Sequence, residues 1–242
     1  MSARGVAPQR AKNNRFAPGY HFIPVRGWIN DPNGPVHFNG QWHLFYQYYE
    51  PSMVDGMQWG HAVSDDLAVW NHLEPAIRPD ALGQIWSGSA VVDHGDTSGL
   101  FGGKPGLVCL FTYWDKSDFR QSQGMAYSAD GLTFHTYDGN PVVPQLRRLP
   151  GHPDDKDFRD PKVFWHVKTG RWIMAVAGGK LRIFSSADLR VLLDGCSVEL
   201  FAGGGESHMS AFILPSPETA GVTLFSDAGS MLENVVIRTV RK

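Results

Sequence analysis

The sequence predicts an all-β chain built from repeated β-propeller blades, and three observations carry that prediction. No stretch sustains the apolar spacing of an amphipathic helix; short runs rich in Val, Ile, Phe, Tyr and Trp are broken instead by Gly, Pro, Asn and Asp. The runs recur as hairpins. Each hairpin is followed by a further strand ending in a similar Ser, Asp, Leu pattern. Repeated units of a few antiparallel strands read as propeller blades; a β-sandwich with chance similarity between its hairpins is the competing arrangement.

In chain order, the first hairpin is Val36-His-Phe-Asn-Gly-Gln-Trp-His-Leu-Phe-Tyr46, whose Asn39-Gly40 supplies the positive-φ pair of a tight connection. The second joins Ala90-Val-Val to Leu107-Val-Cys-Leu-Phe-Thr112 through a longer Gly-rich loop, and the third runs from Val163 to Met174. The strands that follow are His61-Ala-Val-Ser-Asp-Asp-Leu67, Met125-Ala-Tyr-Ser-Ala-Asp-Gly-Leu132 and Arg182-Ile-Phe-Ser-Ser-Ala-Asp-Leu189. All eight Trp lie between Trp28 and Trp172, whereas Arg190 to Lys242 is built from Val, Leu, Phe, Ser and Gly. The chain therefore divides into an N-terminal arm (1–19), a propeller region (20–189) and a differently built region (190–242).

Composition narrows the function. Lys and Arg number 22 against 24 Asp and Glu, a net charge of −2 without the basic excess of a nucleic-acid binder. Hydrophobic residues at 42% and charged residues at 19% are those of a globular protein. No window approaches the ~18 apolar residues of a membrane helix, so no membrane partner is expected. Cys109 and Cys196 are too few for a disulfide framework and say nothing about metal. Met1 to Tyr20 has no apolar signal-peptide core, only Arg4, Arg10, Lys12 and Arg15; a short basic arm on a cytoplasmic protein is expected, with a transit peptide as the alternative.

The repeats open on Asp31-Pro-Asn-Gly, Ser87-Gly-Ser-Ala and Asp160-Pro-Lys-Val. In a propeller the innermost strands line the central channel, so equivalent positions converge on one pocket. Two converging carboxylates, Asp31 and Asp160, are what glycoside hydrolysis requires. Either alone reads as well as a turn starter, since Asp-Pro opens turns; the pair at repeat starts favours chemistry. Other candidates weigh less. His37 and His43 flank a turn with no third ligand, Gly203-Gly-Gly205 lacks a phosphate loop's partners, and Trp42, Trp165 and Trp172 suit blade packing.

Further motifs give the chain a family resemblance. Trp28-Ile-Asn-Asp-Pro-Asn-Gly34, Phe45-Tyr-Gln-Tyr48, Trp59-Gly-His-Ala-Val-Ser-Asp-Asp-Leu67, Trp86-Ser-Gly-Ser-Ala90 and Phe158-Arg-Asp-Pro-Lys-Val163 together resemble the family-32 glycoside hydrolases: invertases, levanases and inulinases. Val191 to Phe201 resembles that family's C-terminal β-sandwich. The resemblance implies a five-bladed propeller followed by a sandwich, retaining hydrolysis of sucrose or β-fructans, and no metal or cofactor. It implies Asp31 as nucleophile and Asp160 as the residue that binds fructosyl hydroxyls and stabilises the transition state. Arg159, Asn30, Gln47, Ser87, Trp59 and Trp86 match positions that bind or wall the sugar.

The sequence departs from the family pattern in three places. Asp55-Gly56 stands where a Trp-Gly pair is usual, and Trp86 where Phe is commoner. More seriously, the family's Glu-Cys motif, which supplies the general acid/base, is missing: Asp188-Leu189 runs directly into sandwich-like sequence. About three blades are expected, followed by a fragment of sandwich, with bare blade edges open to self-association. Glu199, Glu206 and Asp188 are poor replacements for the acid. General acid–base assistance is typically worth ~10²–10⁴-fold, so weak or no turnover is expected. A fructoside-binding relic and an internally deleted gene product stand beside the enzyme.

Overall fold

The computed structural model describes residues 18, 21–52, 56–117, 119–145, 157–177, 181–189, 197–202 and 207–212, the last two segments as backbone alone. Every regular element among them is a β-strand. The first sheet is an antiparallel meander of β1 (Trp28–Phe38), β2 (Gln41–Tyr49), β3 (Gln58–Ser64) and β4 (Asn71–Ile77). The second repeats it with β5 (Gln84–Asp93), β6 (Gly106–Trp114), β7 (Gln121–Ser128) and β8 (His135–Thr136). The third begins in the same way with β9 (Arg159–His166), β10 (Arg171–Ala177) and β11 (Leu181–Ser186). Its next neighbour breaks the pattern. In place of a fourth meander strand, β13 (Ser207–Phe212) lies parallel to β11 and pairs outward with β12 (Ser197–Ala202).

This is the partial propeller that the repeats predict. The Asn39-Gly40 turn has both residues at positive φ (50° and 81°), as the twist of a two-residue hairpin demands. The Ser, Asp, Leu pattern is a turn that ends the third strand. Ser64 Oγ accepts the Leu67 amide at 2.8 Å, and Asp66 Oδ1 accepts those of Ala68 and Val69. Ser128 and Asp130 repeat it for Gly131, Leu132 and Thr133, and Ser186 Oγ accepts the Asp188 amide. These aspartates are structural.

The core lies between blades, which explains the uninterrupted apolar run of β6. Its alternate residues Leu107, Cys109 and Phe111 pack toward the first blade, against Phe38, Phe45, Trp59 and Ile77. Val108 and Leu110 point the other way, with Met125, to Phe158, Val163, Met174 and Phe184 of the third blade. A central strand buried on both faces cannot show polar alternation. Burial also raises the Cys109 thiol far above its ordinary value, leaving it inert. Of the tryptophans expected in blade packing, Trp172 is buried, Trp42 is half-buried, and Trp165 leans edge-on against Trp172 while 41% exposed. The 1–19 arm (apart from Pro18), Asp55, Cys196, the Gly203–Gly205 turn and Glu206 lie outside the described residues.

Candidate active site

The innermost strands β1, β5 and β9 lie side by side, and each carries an irregularity at the same place. On β1, Ile29 faces Tyr48 and Pro32 faces Tyr46, so Asn30 and Asp31 share the position opposite Gln47. On β5, Trp86 faces Thr112 and Gly88 faces Phe111, leaving Ser87 unpaired. On β9, Arg159 faces Ala177 and Lys162 faces Ala175, so Asp160 and Pro161 share Val176. An extra residue in one strand re-aims its side chain out of the ladder. Three bulges in three equivalent strands bring Asp31, Ser87 and Asp160 to one mouth of the channel.

Several contacts link these side chains. Ser87 Oγ donates to Asp31 Oδ2 at 2.7 Å, across the first blade boundary. Asn30 Nδ2 lies 3.5 Å from the other Asp31 oxygen. Arg159 Nε lies 3.8 Å from Asp160 Oδ2, and its NH1 is 2.9 Å from Asp157. The same guanidinium sits 6.0 Å from the Trp86 ring centroid, within cation–π range. The Asp160 carboxyl is raised above its ordinary value: partial burial penalises its charge, Arg159 opposes the rise, and the Asp31 carboxylate adds to it. The Asp31 charge therefore reaches Asp160. Asp160 also holds φ at +63°, a left-handed backbone that an L-residue adopts only under constraint.

Close approach of backbone fixes these strands. A Cβ on Gly34 would run into the Ala90 backbone, and one on Gly88 into the Leu110 carbonyl, so β1, β5 and β6 can pack this tightly only with glycine there. Asn33 Oδ1 accepts the Gly88 amide at 3.2 Å and so ties β1 to β5 beside Asp31 and Ser87. Ser89 Oγ does the same between β5 and β9, donating to the Pro161 carbonyl and accepting the Val163 amide. The sequence analysis did not single out either residue; the available signal was a polar side chain two positions after Asp31 and after Ser87 in the repeat openings.

The remaining expected site residues divide. Gln47 is buried opposite the Asn30–Asp31 bulge, and its Nε2 has no hydrogen-bond partner among the described residues. Trp86 is half-buried and stacks on Trp114 at 5.1 Å. Trp59 requires correction: it is fully buried between Phe45 and Phe111 and cannot touch a sugar. Its Nε1 donates to the Trp86 carbonyl at 2.9 Å, so it supports the wall from behind. Gly56, beside Asp55, packs against the Gln84 side chain. The glutamates with described side chains are both engaged elsewhere, Glu50 with Arg26 and Glu74 with Arg78. Among the described residues no group of three His, Cys, Asp or Glu is disposed to hold a metal ion.

Comparison with known sequences agrees with this geometry. Residues 21–192 match the glycosyl hydrolases family 32 N-terminal domain, and residues 155–239 match the family's C-terminal domain. The chain belongs to glycosyl hydrolase family 32. Among its family-32 relatives, the levanase of Bacillus subtilis (strain 168) is 48% identical over 179 residues, 72% of this chain and 25% of the levanase. An extracellular exo-inulinase of Meyerozyma guilliermondii is 42% identical over 181 residues, 69% of this chain and 33% of that protein. The exo-inulinase structure from Aspergillus awamori superposes with a TM-score of 0.64 at 34% identity, over 78% of this chain and 44% of that one. A β-fructofuranosidase of Schwanniomyces occidentalis bound to fructosyl-erythritol gives 0.62 at 40% identity, over 71% of this chain and 34% of its own. This family-32 chain thus spans a quarter to under a half of the length of each of these four relatives.

Proposed function

We propose that this chain is a β-fructofuranosidase-type glycosidase that engages the fructosyl unit of sucrose or a β-fructan, with Asp31 as nucleophile. The observation that supports this best is the meeting of Asp31, Ser87 and Asp160 on the bulges of three adjacent inner strands. Asp31, oriented by Ser87, attacks the anomeric carbon and forms a glycosyl ester, which water then hydrolyses with net retention. Asp160 accepts hydrogen bonds from fructosyl hydroxyls and gains strength as positive charge develops on the ring. Arg159 and Asn30 supply donors to the sugar, and Gln47, buried behind the Asn30–Asp31 bulge, backs them.

Among the described residues, neither glutamate is placed to protonate the leaving group. A retaining pair needs its carboxyl groups ~5–5.5 Å apart, and Glu50 and Glu74 are held in ion pairs of the first blade. We therefore expect slow turnover of sucrose and levan and faster turnover of a substrate whose leaving group needs no proton. Fructosyl fluoride is such a substrate. Fluoride release that outpaces fructose release from sucrose, and is abolished by Asp31→Ala, supports the reading. Equal dependence on Asp31 with full activity on sucrose would reveal an acid beside Asp31 supplied from outside the described residues. No release from either substrate, with fructose binding weakened by Asp160→Ala, would leave a binding protein, the second reading that the missing acid favours.

A further inference from the structure

Between the second and third blades runs a short buried chain of hydrogen bonds ending at Asp160. Thr112 closes the row Val108, Leu110, Thr112 that β6 turns toward the third blade, and Gln123 stands opposite it on β7. Both are fully buried. The Asp160 amide donates to Thr112 Oγ1 at 3.0 Å, and the Thr112 hydroxyl donates in turn to Gln123 Oε1 at 3.0 Å. Gln123 Nε2 then donates to the Phe158 carbonyl at 2.8 Å, so the loop of bonds closes on the segment that holds Arg159 and Asp160. Gln123 is itself anchored through its backbone, which exchanges bonds of 2.7 and 3.2 Å with Val143.

Polar residues in this setting are costly unless fully used. A threonine in an otherwise apolar row adds nothing to packing that valine would not, and its hydroxyl must be satisfied. Here both the donor and the acceptor capacity of that hydroxyl are spent. The amide it receives belongs to a residue at φ +63°, a conformation favourable only when the surroundings impose it.

We propose that Thr112 and Gln123 are positioning residues that clamp the Phe158–Asp160 backbone in its left-handed turn and so aim the Asp160 carboxylate into the pocket beside Asp31. The inference rests on the proposed fructoside site but concerns residues that touch no substrate. Thr112 supplies the acceptor that the bulge denies to the Asp160 amide, and Gln123 fixes the direction of the Thr112 hydroxyl. When the clamp is lost, Asp160 relaxes toward solvent, away from Asp31, while the blades stay joined by their apolar core and Ser89.

The test compares the full chain with Thr112→Val, Thr112→Ser and Gln123→Met. Asp93→Asn, six residues beyond Ser87 on β5, serves as a control for general loosening, since Asp93 caps only the Thr97–Ser98 loop. Fructose affinity is read by calorimetry and the Asp160 carboxyl by carbon NMR across pH, where Asp31, Arg159 and Asp157 are the charged groups around it. Expected are a roughly ten-fold loss of affinity in Thr112→Val and Gln123→Met, with the Asp160 titration falling back toward that of a free aspartate. Thr112→Ser restores both, and Asp93→Asn changes neither. Parent-like titration in Thr112→Val, or equal effects in Asp93→Asn, overturns the proposal. If the parent binds no fructose, the functional reading fails, and the NMR titration alone decides the clamp. If Thr112→Val does not fold, Gln123→Met decides it.

Discussion

Ser87 and Asp31 are joined across the boundary between the first two blades by a 2.7 Å hydrogen bond from hydroxyl to carboxylate. Each is the extra residue of a bulge, so neither is held by its own strand's ladder. A hydrogen bond to a charged group contributes ~1.5–3 kcal/mol where desolvated, and the exposure of Asp31 argues for the lower end. Ser87→Ala should therefore weaken fructose binding, or fluoride release from fructosyl fluoride, by about ten-fold. The melting temperature should scarcely move, because no buried group is orphaned. Unchanged binding in Ser87→Ala would show that Asp31 is oriented by something else.

Asp160 should trade stability for function. Its carboxyl is raised, first by burial and then by the Asp31 charge, against the pull of Arg159. A raised acid is easier to keep neutral in the folded state, so the fold binds the proton more tightly than the unfolded chain does. That contribution is present in full below the ordinary aspartate value of 3.8 and is lost as pH rises through the folded value. Asp160→Asn removes the penalty. Urea unfolding should find the variant and parent alike near pH 3 and the variant the more stable at pH 7, with fructose binding lost. A variant less stable than the parent at pH 7 would mean that the Arg159 contact outweighs the repulsion.

The strands were legible in the sequence because each blade repeats a hairpin and a Ser–Asp turn whose hydrogen bonds are local. The equivalent placement of Asp31 and Asp160 on the inner strands was legible because they open repeats. What escaped was set by contacts between blades. Trp59 reads as a sugar wall in sequence, yet inter-blade packing buries it behind Trp86. Asn33, Ser89, Thr112 and Gln123 act on neighbouring blades through partners 35 to 74 residues away, beyond the reach of any local pattern. The parallel pairing of β13 with β11 was likewise unreadable, since strand partners follow from which edge is left open.

The first blade contains an acid-sensitive pair. His43 Nδ1 and His61 Nε2 lie 3.0 Å apart in a buried stack with Phe45. Burial lowers both, His61 to about 3, with His43 adding to the effect on His61. A lowered histidine is neutral in the fold while the unfolded chain takes up its proton, so the stability it permits is complete above about 6.5 and is lost as pH falls toward 3. From pH 7 to pH 5 the loss from His61 alone should be about 2 kcal/mol. The double substitution His43→Phe/His61→Phe should flatten that part of the pH profile in denaturant unfolding. A parent whose stability is level between pH 7 and pH 5 would refute it.

Leu67 and Gly131 occupy the same slot of the repeated Ser–Asp turn, and comparing them yields a stabilising substitution. Each amide donates to a serine hydroxyl at 2.8 Å, from Leu67 to Ser64 and from Gly131 to Ser128. Both residues are left-handed, with φ of +65° and +78°. Gly131 must be glycine, because a Cβ there would stand 2.8 Å from the His43 ring. Leu67 has no such excuse: its side chain is 51% exposed and loses little by removal. A left-handed L-residue costs ~1–2 kcal/mol, and the added freedom of glycine in the unfolded chain returns ~0.4–1 kcal/mol of that. Leu67→Gly should therefore stabilise the chain by about 0.5–1 kcal/mol, a rise of roughly 1–4 °C in melting temperature for a protein of this size. Calorimetry on the single variant checks it, and a lower melting temperature would show that the exposed leucine packs more than its accessibility suggests.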